Sequence, residues 1–245
     1  MFRLILAASA IVLFLLLTLP VLLLLWIMEK SSPRRSEIIR LRMVQWIFRV
    51  ITWLCGTKVT VIGEENIPKD QPVLYIGNHR SLFDTPLTYA RCPSYTGYIA
   101  KKEMEKVPIL NLWMKGLHCL FLDREDIKEG LKIILTAIDY IKAGVSITVF
   151  PEGTRGKDPD ETKMQPFHEG TFKIATKTGC PIIPMAISHS SQIFEDHKPW
   201  IRSAHVIIEY GAPIYPNQLS KEEKKFIGKY VQKIMQEMLD KNVTI

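Results

Sequence analysis

The sequence has 245 residues, of which 47% are apolar and 23% charged, so it is neither a disordered nor a collagen-like chain and is long enough for one domain with an appendage. The formal net charge is +7, but residues 29–58 alone contribute +5, from seven basic and two acidic residues. The remainder is close to neutral, which argues against a nucleic-acid-binding protein. A basic segment directly behind an apolar N-terminus favours contact with an anionic membrane surface.

The longest apolar stretch lies at the N-terminus, where Leu4–Met28 contains no charged residue. As a helix these residues would extend roughly 37 Å, enough to cross a hydrocarbon core of roughly 30 Å. The stretch is too long for the apolar region of a signal peptide, and Trp26–Glu29 is not a cleavage site. The segment is therefore predicted to stay attached as a membrane helix.

A second helical pattern runs from residue 34 to residue 55. Its polar positions form one narrow stripe, flanked by Trp46 and Trp53, and the stripe consists of Arg42, Gln45, Arg49 and Thr52. A wide apolar face with a basic stripe and bordering tryptophans is typical of a helix in the membrane interface. The alternative is a helix packed on the soluble domain with its arginines in water.

Two membrane topologies are compatible with this pattern. The first helix spans the bilayer with the basic segment on the cytoplasmic side, or both helices form a hairpin in one leaflet with Pro20 bending the first. Both predict a membrane-associated helix pair over residues 1–56 and an α/β domain over residues 57–245 on the cytoplasmic face of the cytoplasmic membrane. Four widely separated cysteines, which lack any Cys-x-x-Cys spacing, agree with a reducing compartment.

From residue 58 onward, short β-branched runs alternate with helical patterns, which predicts an α/β fold with a mostly parallel sheet flanked by helices. The predicted strands are Lys58–Ile62, Val73–Ile76, Tyr95–Ala100, Cys119–Leu122, Ser146–Phe150, Ile182–Ile187 and His205–Tyr210. The predicted helices are Phe83–Ala90, Ile109–Lys115, Ile127–Lys142, Thr171–Lys177 and Lys221–Lys241. Ligands in such folds bind beyond the carboxyl ends of the strands.

His79 follows the second predicted strand directly, and Asp84 lies about one helical turn further on. A carboxylate on one imidazole nitrogen fixes the tautomer and leaves the other nitrogen free to act as a base. Taken alone, the pair is equally compatible with a strand-end hydrogen bond or a helix cap. Ser81 is interpreted as a cap rather than a nucleophile, because no Gly-x-Ser-x-Gly motif is present.

A second candidate, Phe150–Arg155, comes directly at the end of the strongest predicted strand, Ser146–Phe150. Its turn exposes backbone N–H groups and Arg155 adds a bidentate donor, which suits an anionic group such as phosphate. An ordinary surface turn is the alternative. Leu122–Arg124 places a further arginine beyond another strand.

Four ordered blocks together carry a resemblance that no one of them carries alone. In order, they are Asn78–Asp84, Gly116–Arg124, Phe150–Arg155 and Ile183–Ala186. Over residues 58 to 215 the chain resembles the glycerolipid acyltransferases, and most closely the bacterial enzymes that acylate lysophosphatidate. It departs from the family at His168, where a basic residue usually follows Phe167, and at Gly156, where serine is common.

The resemblance implies transfer of an acyl group from a thioester, on acyl carrier protein or coenzyme A, to the sn-2 hydroxyl of lysophosphatidate. It implies a His-Asp general base with no bound cofactor and no metal, because a thiolate leaves readily. The residues it assigns to catalysis are His79 and Asp84, and those to the phosphate and glycerol are Arg155, Glu152, Gly153, Thr154, Arg124 and Lys101. Acylation of another lyso-lipid or of glycerol-3-phosphate, and a non-catalytic lipid-binding protein, are the alternatives.

Overall fold

The computed structural model of the protein describes residues 1–123 and 126–243. The α-helices are α1 (Phe2–Leu17), α2 (Leu19–Ser31), α3 (Pro33–Leu54), α4 (Asp84–Tyr89), α5 (Leu110–Lys115), α6 (Ile127–Lys142), α7 (Lys173–Thr178), α8 (Lys221–Lys225) and α9 (Ile227–Asn242). The strands are β1 (Lys58–Ile62), β2 (Leu74–Gly77), β3 (Thr96–Lys101), β4 (Leu120–Leu122), β5 (Ser146–Val149), β6 (Ile182–Ser188) and β7 (His205–Tyr210).

The described strands form a single sheet in the order β1-β7-β6-β2-β5-β3-β4. All neighbouring strands run parallel except β6 and β7, which are antiparallel. The α/β fold with a mostly parallel sheet is therefore confirmed. Because β2, β5 and β6 are parallel neighbours, their carboxyl ends meet at one edge, which is where ligands bind in such sheets.

Side chains alternate between the two faces of the sheet, as the pleat requires. In β2, Leu74 and Ile76 pack with α6, α7 and α9 on one face, whereas Tyr75 packs with α1, α3 and α4 on the other. Both faces are covered, so every residue of the central strands β2, β5 and β6 is buried. The sheet is thereby a rigid platform for the loops at its edge.

The apolar N-terminal stretch is two helices rather than one straight helix, and the bend between them lies next to Pro20, as in the second of the two predicted topologies. The chain turns at Thr18, whose hydroxyl bonds to Phe14 O, and α2 begins with Pro20 in its first turn. Proline cannot donate to the preceding turn, so the helix breaks there. Among the described helices no single one is long and apolar enough to cross a membrane, although α1 and α2, bent by 49°, meet that criterion as a pair on length and composition alone.

Helix α3 packs on the domain with part of its polar stripe. Gln45 and Thr52 are 1% and 9% exposed, whereas Arg42 and Arg49 are exposed. Gln45 Nε2 donates to Cys92 O, and Arg49 Nη2 donates to Ala90 O beyond the end of α4. Leu41, Val44, Ile47 and Ile51 are buried against the sheet or against α1 and α2, whereas Ile38 and Ile39 are exposed. Amphipathicity does not distinguish a membrane from a protein surface, so contact of α3 with a membrane stays a prediction. The exposed positions of Trp46 and Trp53 agree with the prediction.

Candidate active site

Asn78 continues the sheet beyond the end of β2. Its side-chain amide donates to Ile187 O at 2.9 Å, and its Oδ1 accepts from Ile187 N at 2.7 Å. The side chain thus imitates the backbone of an extended strand and satisfies two buried polar groups of β6. The main chain is released from the sheet at this point, which places His79 just beyond the strand.

His79 and Asp84 are in direct contact. His79 Nδ1 lies 2.8 Å from Asp84 Oδ2, and the carboxylate is fully buried. An ionised carboxylate only accepts hydrogen bonds, so Nδ1 carries the proton and Nε2 carries the free lone pair. Within the described part of the chain nothing is hydrogen bonded to Nε2, and the imidazole is 18% exposed. This is the geometry of a base with one nitrogen held and the other available.

The backbone around the pair holds the carboxylate in place. Arg80 N and Ser81 N also donate to Asp84 Oδ2, at 2.7 and 2.8 Å. One oxygen of Asp84 therefore accepts three hydrogen bonds, while Oδ1 is buried with no partner among the described residues. The His79 ring stacks on Phe150, with centroids 4.5 Å apart and planes 14° apart. The hydrogen bond to Asp84 and the stacking on Phe150 together fix the orientation of the imidazole ring.

Glu152 is a buried residue of the Phe150–Arg155 block, and it connects this block to the Asn78–Asp84 block. Its two oxygens accept from His79 N and from Gln165 N, each at 2.8 Å, and the side chain is almost completely buried. Burial raises the pKa of this carboxyl, and the two backbone donors and the charge of Arg80 oppose that effect. Each oxygen holds one backbone amide and the side chain is buried, so Glu152 anchors the loops that carry the site.

The turn after β5 is compact and depends on glycine. Gly153 has φ 72°, and its N–H donates to Phe150 O at 3.1 Å. A Cβ at this position would lie 3.0 Å from His168 Nε2, so a side chain is excluded by both strain and space. Thr154 is exposed beside it, and Gly156 N donates to His79 O at 2.8 Å. The turn and the His79 loop therefore form one surface.

Arg155 extends from this turn and is held by a residue outside all four blocks. Its Nη1 donates to Glu195 Oε1 at 2.9 Å. The guanidinium is 37% exposed, whereas Glu195 is only 13% exposed. Four of its five N–H donors point elsewhere. Sequence reasoning missed Glu195, because it lies far along the chain in the short turn Glu195–His197, where a lone acid carries no recognisable signal.

Lys101, another predicted phosphate ligand, forms its ion pair outside this cluster. Lys101 ends β3, is exposed, and pairs with Glu103 at 2.7 Å. Arg124 lies outside the described residues. The structure therefore brings together His79, Asp84, Glu152, Gly153 and Arg155.

A cavity of about 400 Å³ opens next to the site. It lies between the carboxyl ends of β3, β4 and β5 and helix α6, and its walls include Ile99, Leu131, Ile134, Val149 and Phe150. Gly153 and the His168 side chain border it as well. Phe150 belongs to both places, since it lines the cavity with its apolar surface and stacks on the catalytic candidate His79. An apolar cavity directly beside a base suits a long hydrocarbon substrate.

The site geometry agrees with the comparisons to known proteins. The profile of the family described as Acyltransferase matches residues 58–188. A 1-acyl-sn-glycerol-3-phosphate acyltransferase of Borreliella burgdorferi is 31% identical over 186 residues, which cover 75% of this chain and 72% of that protein. The chain belongs to the acyltransferase family. The resemblance predicted from the four blocks is thereby confirmed.

Further relatives agree with this assignment. A 1-acyl-sn-glycerol-3-phosphate acyltransferase of Saccharomyces cerevisiae is 30% identical over 204 residues, covering 81% of this chain and 66% of that protein. A chloroplastic 1-acyl-sn-glycerol-3-phosphate acyltransferase of Brassica napus is 32% identical, but the match covers only 39% of that protein. The crystal structure of the 1-acyl-sn-glycerophosphate acyltransferase PlsC of Thermotoga maritima superposes with a TM-score of 0.80 at 25% identity, covering 98% of this chain and 96% of that chain.

Proposed function

We propose that this acyltransferase moves a fatty acyl group from a thioester, on acyl carrier protein or coenzyme A, to the sn-2 hydroxyl of lysophosphatidate. The observation that carries the proposal is the His79–Asp84 pair, with a free Nε2, between an arginine turn and an apolar cavity. The base, the anion donor and the hydrocarbon pocket correspond to the three parts of such a reaction. The names of the relatives support the choice of acceptor.

The reaction is a direct acyl transfer. His79 Nε2 takes the proton of the sn-2 hydroxyl as its oxygen attacks the thioester carbonyl carbon. The resulting tetrahedral intermediate breaks its carbon–sulfur bond, and the departing thiolate receives the proton from the imidazolium. Asp84 stabilises the positive charge that His79 carries in between. The products are phosphatidate and a free thiol, and His79 returns to its starting protonation state.

Two features of the site would position the substrates. The phosphate of the acceptor binds Arg155 and the N–H groups of the Gly153 turn, since a guanidinium matches a phosphate bidentately. The acyl chain lies in the cavity lined by Phe150, so that the thioester carbonyl comes next to His79. Holding both reactants in this way supplies much of the rate enhancement in a two-substrate reaction.

A membrane would supply the acceptor. Helices α1 and α2 expose a continuous set of large apolar side chains, including Leu13, Leu17 and Leu24, and Lys30 stacks over the exposed Trp26 ring at 4.1 Å. Exposed apolar patches with interfacial tryptophans and basic residues favour binding to an anionic leaflet. We place the enzyme on the cytoplasmic face of the cytoplasmic membrane, where acyl thioesters are made.

The substrate assignment is tested with one acyl donor and several acceptors. Purified enzyme in mixed micelles is given a labelled acyl thioester together with lysophosphatidate, lysophosphatidylcholine or glycerol-3-phosphate, and kcat/KM is measured for each. Lysophosphatidate is expected to be preferred. Preference for glycerol-3-phosphate or for a lyso-lipid without a phosphomonoester would replace it as the acceptor, and the absence of any transfer would contradict the assignment.

Replacing Arg155 is expected to weaken binding of the acceptor. In Arg155→Ala, KM for lysophosphatidate should rise by about tenfold or more, because a charge-assisted hydrogen bond contributes about 1.5–3 kcal/mol, while KM for the thioester changes little. Arg155→Lys should recover only part of the loss, since an ammonium cannot bind bidentately. If both variants keep the wild-type KM for lysophosphatidate, Arg155 does not hold the phosphate.

Membrane binding is expected to depend on the exposed leucines of α1 and α2. Leu13→Asp and Leu24→Asp should each lower the partition coefficient onto anionic vesicles by about tenfold or more, because each buried leucine side chain contributes about 1.5–3 kcal/mol. The matched control is Leu135→Asp, an equally exposed leucine of α6. Vesicle sedimentation measures all three. Equal binding of the three variants would contradict the proposed membrane face.

A further inference from the structure

Glu195 is the residue that joins the two functional halves of the site. It lies in the turn Glu195–His197, after β6 and outside the four blocks. Its Oε1 accepts from Arg155 Nη1 at 2.9 Å and from Leu82 N at 3.0 Å, and its Oε2 accepts from the Ser81 hydroxyl at 2.6 Å. One largely buried carboxylate therefore contacts both the arginine turn and the loop that carries the histidine pair.

Each of these contacts restricts a group on which the proposed reaction depends. Arg155 would otherwise be a long side chain with many rotamers on a surface turn, and the ion pair selects one of them. A single guanidinium nitrogen is used, so the remaining donors stay available to an anion. The carboxylate charge is balanced by Arg155 itself and by the Leu82 and Ser81 donors, which limits its repulsion of a bound phosphate.

The hydrogen bond between Ser81 and Glu195 affects the loop that carries the His79–Asp84 pair. Ser81 Oγ gives its only proton to Glu195 and accepts from Phe83 N at 3.0 Å, so both roles of the hydroxyl are used within the turn. Ser81 N in turn donates to Asp84 Oδ2. Glu195 thus acts on the orientation of the Asp84 carboxylate through two intervening hydrogen bonds. This arrangement also explains why Ser81 is a turn residue and not a nucleophile.

We propose that Glu195 is a positioning residue that presents Arg155 to the phosphate of the acceptor and fixes the Ser81–Leu82 turn next to the His79–Asp84 pair. This inference rests on the proposed function, because it takes Arg155 as the phosphate ligand. Glu195 contacts no substrate itself. Its contribution to acceptor binding passes through Arg155, and its contribution to turnover passes through Ser81.

These two routes predict separable effects. Glu195→Ala should raise KM for lysophosphatidate by about tenfold, which corresponds to about 1.4 kcal/mol, and should lower kcat, with KM for the thioester almost unchanged. Ser81→Ala removes only one contact and should lower kcat without the change in KM. Glu195→Gln keeps an acceptor for Arg155 and should return KM toward the wild-type value.

The double variant decides whether Glu195 acts through Arg155. If it does, Glu195→Ala adds almost no further increase in KM when Arg155 is already alanine. The control for local loosening is Asp196→Ala, which removes the neighbouring acid of the same turn and its bond to Ser191 Oγ. A KM increase in Asp196→Ala equal to that in Glu195→Ala, or KM effects of Glu195→Ala and Arg155→Ala that multiply in full, would overturn the proposal.

A binding measurement separates this inference from the proposed function. Calorimetric titration of the intact enzyme with glycerol-3-phosphate reports phosphate binding without turnover. Affinity that falls equally in Arg155→Ala and Glu195→Ala, but not in Asp196→Ala, supports the positioning role even if lysophosphatidate proves not to be the acceptor. Affinity lost in Arg155→Ala and retained in Glu195→Ala contradicts the positioning role and leaves the proposed function standing.

Discussion

His79→Ala is expected to lower kcat by about 10²–10⁴ while the enzyme remains folded. The substitution removes the base, but it leaves Arg80 N and Ser81 N bonded to Asp84, so the turn that contains the site is retained. The stacking on Phe150 is lost, and the space opens toward solvent because the imidazole is partly exposed. The measurement is steady-state transfer to lysophosphatidate at saturating concentrations of both substrates.

The chain offers a matched control for this substitution. His118 is also a partly buried histidine in contact with a carboxylate, Glu37 Oε1 at 2.9 Å, and its ring packs edge-on against Tyr140. His118→Ala removes the same group and a comparable histidine–carboxylate hydrogen bond away from the site. It should leave kcat close to wild type. A folded His79→Ala enzyme with unchanged kcat, or an equal loss in His118→Ala, would contradict the assignment of His79 as the base.

Asp84→Asn is expected to lower kcat by roughly 10²–10⁴. All three donors reach a single oxygen, Oδ2, and Oδ1 has no partner among the described residues. An asparagine carbonyl can occupy the Oδ2 position and keep every hydrogen bond. What is lost is the negative charge that stabilises the imidazolium, so the variant separates charge from geometry.

Asp84→Ala provides the comparison. It removes the acceptor altogether and leaves Arg80 N and Ser81 N buried without a partner, which costs about 1–3 kcal/mol for each group. The free energy of unfolding should fall further than in the asparagine variant, which keeps an acceptor at the Oδ2 position, as measured by urea denaturation. If Asp84→Asn transfers acyl groups at the wild-type rate, the charge of Asp84 plays no part and His79 needs no carboxylate.

The α/β fold could be predicted because its signals are local. Apolar β-branched runs and the periodic apolar face of α6 each reflect one element packed on one core, and β1, β7 and α6 have the predicted bounds. The Asn78–Asp84 and Phe150–Arg155 blocks follow strands directly, so their place at the sheet edge follows from topology.

The features that the sequence did not predict depend mostly on contacts between distant parts of the chain. The polar stripe of α3 packs against the loop after α4, and Gln45 bonds to Cys92, 47 residues away. Ser81 meets Glu195 across 114 residues. Glu152 accepts hydrogen bonds from two backbone amides, one of them 73 residues away at His79, and the sequence does not show these contacts. The break between α1 and α2 has a local cause instead, because Pro20 lies in the first turn of α2.

The most direct test of acyl transfer by His79 is a single-turnover reaction with enzyme in excess over a labelled acyl thioester. In the presence of lysophosphatidate, the label should pass from the thioester to phosphatidate in one phase, and no label should be bound to the quenched protein. With His79→Ala the label should remain on the thioester. Label trapped covalently on Ser81 or on a cysteine, or transfer by His79→Ala at the wild-type rate, would contradict direct attack assisted by His79.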